Sequence, residues 1–236
     1  MNDPEQSDYS STTVPVVSCR PSPNHMLRIT DFKKSYHRQP VLNIPSLHLN
    51  SGIHWIKGVN GSGKSTLLKA IAGIIDFSGD ILLEGINIRQ QPVPYRKSVN
   101  FAEAEPLFPE FLTGREMISL FTTAKQAPPG QATAYLERMQ MQGYLDQPLG
   151  GYSSGMLKKL SLVLAFLGHP TLILLDEPLI TLDAASLDML YGWIREKHNT
   201  QGTSFILSSH QAIEQTALPV SSILETAHQT VKQLPG

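Results

Sequence analysis

The chain is poor in the features that would mark it as secreted, membrane-spanning or nucleic-acid binding. Cysteine occurs once, at Cys19. A lone thiol forms no internal disulfide, so the chain is not a disulfide scaffold, and the count fits a reducing compartment. No apolar run approaches the ~20 residues that a membrane helix needs. Asp3, Glu5 and Asp8 make the start too polar for a signal peptide. Charge of either sign is scarce: 19 Lys and Arg against 20 Asp and Glu leave a formal charge of −1. Affinity for phosphate backbones comes from clustered cations, so this balance gives no reason to expect a nucleic-acid partner and favours a protein one. With 236 residues, 41% of them hydrophobic, the chain can build one large α/β unit with a sizeable core.

The strongest positive signal is Gly58-Val59-Asn60-Gly61-Ser62-Gly63-Lys64-Ser65-Thr66. Glycines stand where backbone must wrap a polyphosphate, Lys64 meets its charge, and Ser65 offers a hydroxyl to Mg²⁺. The apolar run Ile53 to Ile56 reads as the strand before it. Leu67, Leu68, Ile71, Ile74 and Ile75 recur at helical spacing behind it. Backbone N–H groups of Gly61 to Ser65, with the helix dipole, would point at a β-phosphate.

Residues 1–24 are rich in Ser, Thr and Pro and read as a disordered leader, leaving 25–236 as the folded unit. Met26 to Ile29 and Leu47 to Leu49 suggest an antiparallel β patch, in which Tyr36 is either a packing aromatic or an exposed ring for a purine. Gly73 to Gly79 reads as a turn, Ile81 to Leu83 as a strand, and Val99 to Ala102 as a strand ending at Glu103 and Glu105. Carboxylates there can sense a nucleotide or its metal, or simply be solvated.

Thr113-Gly114-Arg115-Glu116 is a capping-box pattern that starts a helix, and a second helix is expected over Ala132 to Met141. The stretch from about 104 to 165 therefore reads as an inserted helical subdomain. Within it, Ser153, Ser154 and Gly155 open a helix with a stripe of Leu157, Leu160, Leu164 and Leu167; these small residues either hold a phosphate or cap the helix.

Leu172 to Leu175 is an unbroken apolar run closed by Asp176 and Glu177, the pattern of a buried central strand with two carboxylates at its exit. Asp176 suits a magnesium ion and Glu177 an attacking water. Leu182-Asp183 precedes another helix, and the strand Thr203 to Leu207 exits at Ser208-Ser209-His210. A short helix over Gln211 to Ala217, a weak strand near Ser222 to Leu224 and a polar tail complete the reading.

Taken in chain order, these motifs resemble the ATP-binding subunit of ABC transporters, from about residue 26 to the end. The resemblance implies a P-loop NTPase core with a mostly parallel sheet, an N-terminal antiparallel β subdomain and an inserted helical subdomain. It implies ATP and Mg²⁺, a head-to-tail dimer with a second ATP-binding subunit (a copy or a paralogue), and a separate membrane permease holding the chain at the inner face of the membrane. On that pattern Tyr36 stacks on adenine, Lys64 meets the β- and γ-phosphates, Ser65 and Asp176 serve Mg²⁺, Glu177 activates water and His210 contacts the γ-phosphate. The Ser153 corner faces a partner's nucleotide, and Asp183 couples the two sites.

The chain departs from the family pattern at several positions. The usual glutamine falls at or beside Ala104, with Glu105 or Glu103 nearby; Tyr152, Ser154 and Met156 alter the signature; Thr181 replaces a glycine. The signature resembles that of exporter ATPases, and the short C-terminus is unlike the sugar-importer type. A soluble ABC-type ATPase acting on a macromolecular complex is the alternative. A P-loop GTPase would need a guanine-reading Asn/Thr-Lys-x-Asp segment that is absent, and a kinase would leave Ser153 and His210 without a role.

Overall fold

A computed structural model describes residues 25–180, 182–210 and 218–235. The leader, Thr181 and the helix expected over Gln211 to Ala217 lie outside the described residues. The described residues form ten strands and six α-helices, with two short 3₁₀ turns ahead of the fifth helix.

The N-terminal β patch is larger than the short strands expected from sequence. β1 (Leu27–Tyr36) and β2 (Gln39–Leu49) form a long hairpin, joined by β4 (Ser78–Leu83) and β5 (Ile86–Asn87) in a four-stranded antiparallel sheet of order β2-β1-β4-β5. The β1–β2 turn is two residues long, with His37 and Arg38 both left-handed (φ 47° and 68°), as such hairpins require.

The second sheet is six-stranded, in the order β10-β9-β3-β8-β7-β6. β3 (Ile53–Lys57), β6 (Val99–Ala102), β7 (Leu172–Asp176), β8 (Ser204–Ser208) and β9 (Ser222–Ala227) pair in parallel. The C-terminal residues read as a polar tail instead form β10 (Thr230–Pro235), antiparallel to β9. Every residue of β7 and β8 is buried, as central parallel strands demand.

Helix α1 (Lys64–Ile71) lies between the two sheets, since Leu67, Leu68 and Ile71 share one core with Ile29 and Ile44 of the first and Leu174 and Ile206 of the second. A second core joins β7 and β8 to α3 (Gly114–Ala124), α5 (Ser154–Phe166) and α6 (Ala184–Gln201). Thr113 caps α3 through the reciprocal bonds expected of its sequence, with Glu116 N–H donating to its Oγ1 at 3.2 Å. α4 (Gln131–Arg138) ends three residues before the expected Met141, and α2 (Pro92–Ser98), which opens without a side-chain cap, was not foreseen. α5 is buried on every side from Leu160 onward rather than along one leucine stripe.

His54 is buried inside β3. Its Nε2–H donates to Asn50 O at 2.9 Å, so Nδ1 accepts from the Ser222 hydroxyl at 2.8 Å. Burial holds its pKa below 6.5, opposed by the Asn50 bond and helped by His198. The unfolded chain then takes up a proton that the folded chain refuses, so stability falls as pH drops through 6.5 toward the lowered folded value. A urea midpoint lower at pH 5.5 than at pH 7.5 is expected, with a weaker dependence in His54→Gln; equal dependence in both proteins would exclude His54 as the cause.

Candidate nucleotide site

The phosphate loop leaves the carboxyl end of β3 and enters α1, the place where parallel α/β sheets collect ligands. Gly63 is the N-cap of α1 at φ 102°, a left-handed conformation, and a Cβ there would come within 2.9 Å of Leu42 Cγ. A Cβ on Gly58 would lie 2.6 Å from Ser62 Oγ and 2.8 Å from Thr226 O. Both positions therefore exclude side chains. No side chain caps α1, so its first N–H groups stay open to an anion.

Above the loop is a cavity of about 270 Å³ lined by Asn60, Gly61, Gly63, Lys64, Ser65, Thr66 and Glu177. The Lys64 side chain is 6% exposed, and its ammonium donates to Gly58 O at 2.8 Å and Val59 O at 3.3 Å, with Glu177 Oε1 3.7 Å away. Glu177 Oε2 accepts from His210, from Nδ1 at 3.1 Å and from the backbone N–H at 3.4 Å. The structure thus brings Lys64, Glu177 and His210 into one chain of contacts, although they come from three different strand exits. Glu177 itself sits at φ 44°, a costly conformation for a residue with a side chain.

Asp176 closes β7 and is buried. Its Oδ1 accepts from Ser208 Oγ at 2.5 Å. The Ser65 hydroxyl and the Asp176 carboxylate are hard oxygen donors, and no group of three or more acidic, His or Cys ligands occurs among the described residues. That donor set fits Mg²⁺, which takes one or two protein oxygens and completes its shell with phosphate and water.

Other candidate residues lie further out. Tyr36 ends β1 at 44% exposure, with Lys34 Nζ 4.8 Å from its ring centroid, and lines neither the phosphate cavity nor the larger one behind the loop. Glu105 is exposed and also outside the phosphate cavity, whereas Glu103 pairs with Lys69 of α1 at 3.0 Å. Ser153 is the N-cap of α5, its Oγ accepting from Met156 N–H at 3.2 Å; Ser153 and Ser154 are exposed, and Gly155 is partly so. The capping role is therefore realised and leaves the corner open to a second molecule. Asp183 caps α6 by accepting from Ser186 N–H at 2.7 Å, which holds its carboxyl below the usual range, and it pairs with Lys159 at 3.4 Å.

Two residues passed over in the sequence reading converge on the same strand exits. Ser208 bridges Asp176 and Glu177. Lys158, buried in α5, donates to Glu103 O (2.8 Å), Asp176 O (3.0 Å) and Ala104 O (3.2 Å). Burial pushes its pKa down to about 8 against the pull of the Asp176, Glu177 and Glu103 carboxylates. The carbonyl where the family carries its glutamine is thus tied to the helix that begins at Ser153. No local pattern announces either residue, because each acts across a sheet or between subdomains.

Comparison with known proteins agrees with this geometry. Residues 42–180 match the family model described as ABC transporter. The chain is 35% identical over 190 residues to the cytochrome c biogenesis ATP-binding export protein CcmA of Legionella pneumophila, covering 79% of this chain and 93% of that protein. It is 31% identical over 201 residues to rat ATP-binding cassette sub-family A member 7, covering 82% of this chain but only 9% of that much longer protein. Among solved structures, an ATP-binding subunit of an ABC transporter superposes with a TM-score of 0.79 at 24% identity, over 89% of this chain and 90% of that one. Another neighbour, cbiO1 of Clostridium perfringens, described as part of the ABC transporter complex cbiONQ, has a TM-score of 0.68 at 21% identity, over 89% and 88% of the two chains. On the family match, the CcmA identity and the shared fold, the chain belongs to the ABC transporter family, as one of its ATP-binding proteins.

Proposed function

We propose that this protein binds ATP with Mg²⁺ at the Gly58–Thr66 loop and hydrolyses it, each nucleotide being enclosed by the Ser153 corner of a second ATP-binding subunit. The observation that carries this reading is the contact chain Lys64–Glu177–His210 at the mouth of the loop. Lys64 exchanges its two carbonyl partners for the β- and γ-phosphates, a stronger, charge-assisted set. Mg²⁺, held by Ser65 and Asp176, supplies neutralisation of the charge on the phosphates. Glu177 orients the attacking water and accepts its proton, while His210 holds the free carboxylate and reaches the γ-phosphate. Tyr36 offers a ring face for adenine, Glu105 stands in for the absent glutamine, and Asp183, capping α6 beside Lys159, relays between the two sites. Purified protein should release phosphate from ATP only with Mg²⁺; failure to do so at any protein concentration, alone or with its permease, overturns the assignment.

The work done is proposed to be transport through a separate permease at the inner face of the membrane, in the export direction. The name and 93% coverage of the Legionella export protein support that direction. Among the described residues no helix is long and apolar enough to cross a membrane, so the reading needs a membrane partner. A groove of about 520 Å³ between the core and the helical subdomain, with Phe101, Phe108, Leu120 and Phe121 in its wall, suits an apolar helix. Leu107, in the same wall, is 90% exposed, and Phe111 is 80% exposed, apolar side chains that a membrane partner would cover. Replacing Leu107 and Phe111 together by Asp is expected to release the protein from membranes containing its permease, measured by co-sedimentation. Retained association would exclude this face, and recovery of ribosomal proteins instead of a membrane protein would favour the macromolecular-complex alternative.

A further inference from the structure

The catalytic carboxylates sit on consecutive residues at the end of β7, and the second has left the strand conformation: Glu177 has φ 44° where Asp176 is still paired in register with Ser208 of β8. A side-chain-bearing residue does not hold that conformation unless its surroundings over-determine it. The restraint visible at this point is the Ser208 hydroxyl. It is fully buried, it accepts from the Glu177 backbone N–H at 3.0 Å, and it donates its proton to Asp176 Oδ1 at 2.5 Å. A serine hydroxyl has one proton to give, and here that proton is committed to a carboxylate in the short, charge-assisted range.

We propose that Ser208 is a positioning residue for hydrolysis: through one hydroxyl it fixes the turn that aims Glu177 at the attacking water and fixes which oxygen of Asp176 remains free for the metal. The proposal rests on the assignment of Glu177 as the base. Ser208 is fully buried and does not line the phosphate cavity; it acts by setting the distance and angle of the groups that do the chemistry. Because one acceptor site of Asp176 Oδ1 is taken by the hydroxyl, Oδ2 is the less encumbered oxygen for a cation. Because the Glu177 N–H is tethered, the carboxylate swings about its side-chain bonds and not about the backbone. A misplacement of about 1 Å of a reacting group costs on the order of 10²-fold in rate, and the other backbone bond at Glu177, from Ile180 N–H to its carbonyl, is longer at 3.4 Å.

Ser208→Ala removes both bonds without adding bulk. Turnover is expected to fall by roughly 10–100-fold, while affinity for a fluorescent ATP analogue in the absence of metal stays within about threefold, since no loop contact is lost. Ser208→Thr and Ser208→Val add the same volume and differ in the hydroxyl alone, so Thr should retain turnover and Val should lose it even if both lower the melting temperature. In a Glu177→Gln background the Ala change should have little further effect, because the group it aims is already disabled. Equal turnover in the Thr and Val proteins, or an Ala effect that multiplies undiminished onto Glu177→Gln, overturns the proposal. The two failures are distinguishable: a Glu177→Gln protein that still hydrolyses ATP removes the base assignment, whereas an enzyme dependent on Glu177 and indifferent to the Ser208 hydroxyl removes only this inference.

Discussion

Glutamine in place of Glu177 is expected to lower ATP turnover by about 10²–10⁴-fold, the usual contribution of a positioned proton acceptor, while ATP binding persists. The two side chains are nearly isosteric, so the buried position and the backbone bond to Ser208 are kept. The amide oxygen still accepts from His210. What is lost is the ability to take a proton from water. The charge removed stands 3.7 Å from Lys64, so the ammonium no longer divides its attraction between Glu177 and the incoming phosphates, and ATP affinity should hold or increase. A protein that binds ATP and cannot consume it would accumulate in the closed, two-molecule state. Phosphate release and ATP-dependent size-exclusion chromatography test both halves. Turnover within threefold of the parent would remove Glu177 from the chemistry. A variant that stays monomeric under all conditions with ATP bound, with or without its membrane companion, would remove the shared-site account.

The site was legible in the sequence wherever the requirement is local. Gly58 and Gly63 announce backbone that must approach a phosphate, and each proves to have no room for a Cβ. Asp176 and Glu177 announce themselves by following an unbroken apolar run, which is buried throughout as β7. Ser153 and Thr113 were legible as helix caps because a cap is a relation over three residues. Ser208 was not, since its importance depends on the parallel register of β7 and β8, which side-chain alternation in either strand does not encode. Lys158 carries no local signal either, and only the packing of α5 against two strand exits explains its burial.

The fold was legible by the same measure. α1, α3 and the central strands stand out through periodicity and caps. β10 was missed because its turn, His228-Gln229, carries neither Gly nor Asn although both residues are left-handed at φ 48° and 61°, and this removes the strongest short-range hairpin signal. α2 was missed because it opens with Pro92 and Pro94, has no side-chain cap, and buries only Tyr95.

Removing the Lys64 ammonium, in Lys64→Ala, is expected to weaken ATP binding by about 10–100-fold, since each hydrogen bond to a charged group contributes about 1.5–3 kcal/mol and each 1.4 kcal/mol is tenfold. Turnover should fall further still, because charge spreads onto the γ-phosphoryl oxygens in the transition state. ADP, which lacks the γ-phosphate, should lose less affinity than ATP. Before nucleotide arrives the ammonium rests on the carbonyls of Gly58 and Val59, which water at the open mouth of the loop can satisfy in its absence. The melting temperature should therefore change little, separating a lost ligand contact from a lost fold. Arginine is not expected to rescue. Its planar, longer guanidinium does not replace a compact ammonium in a buried loop of this width. Because Glu177 competes for the same ammonium, the alanine change should cost more ATP affinity in a Glu177→Gln background than in the parent, a non-additivity that a double-mutant cycle measures directly. Affinity retained within threefold in Lys64→Ala, or strict additivity with Glu177→Gln, would show that the triphosphate does not bind where this loop and this carboxylate meet.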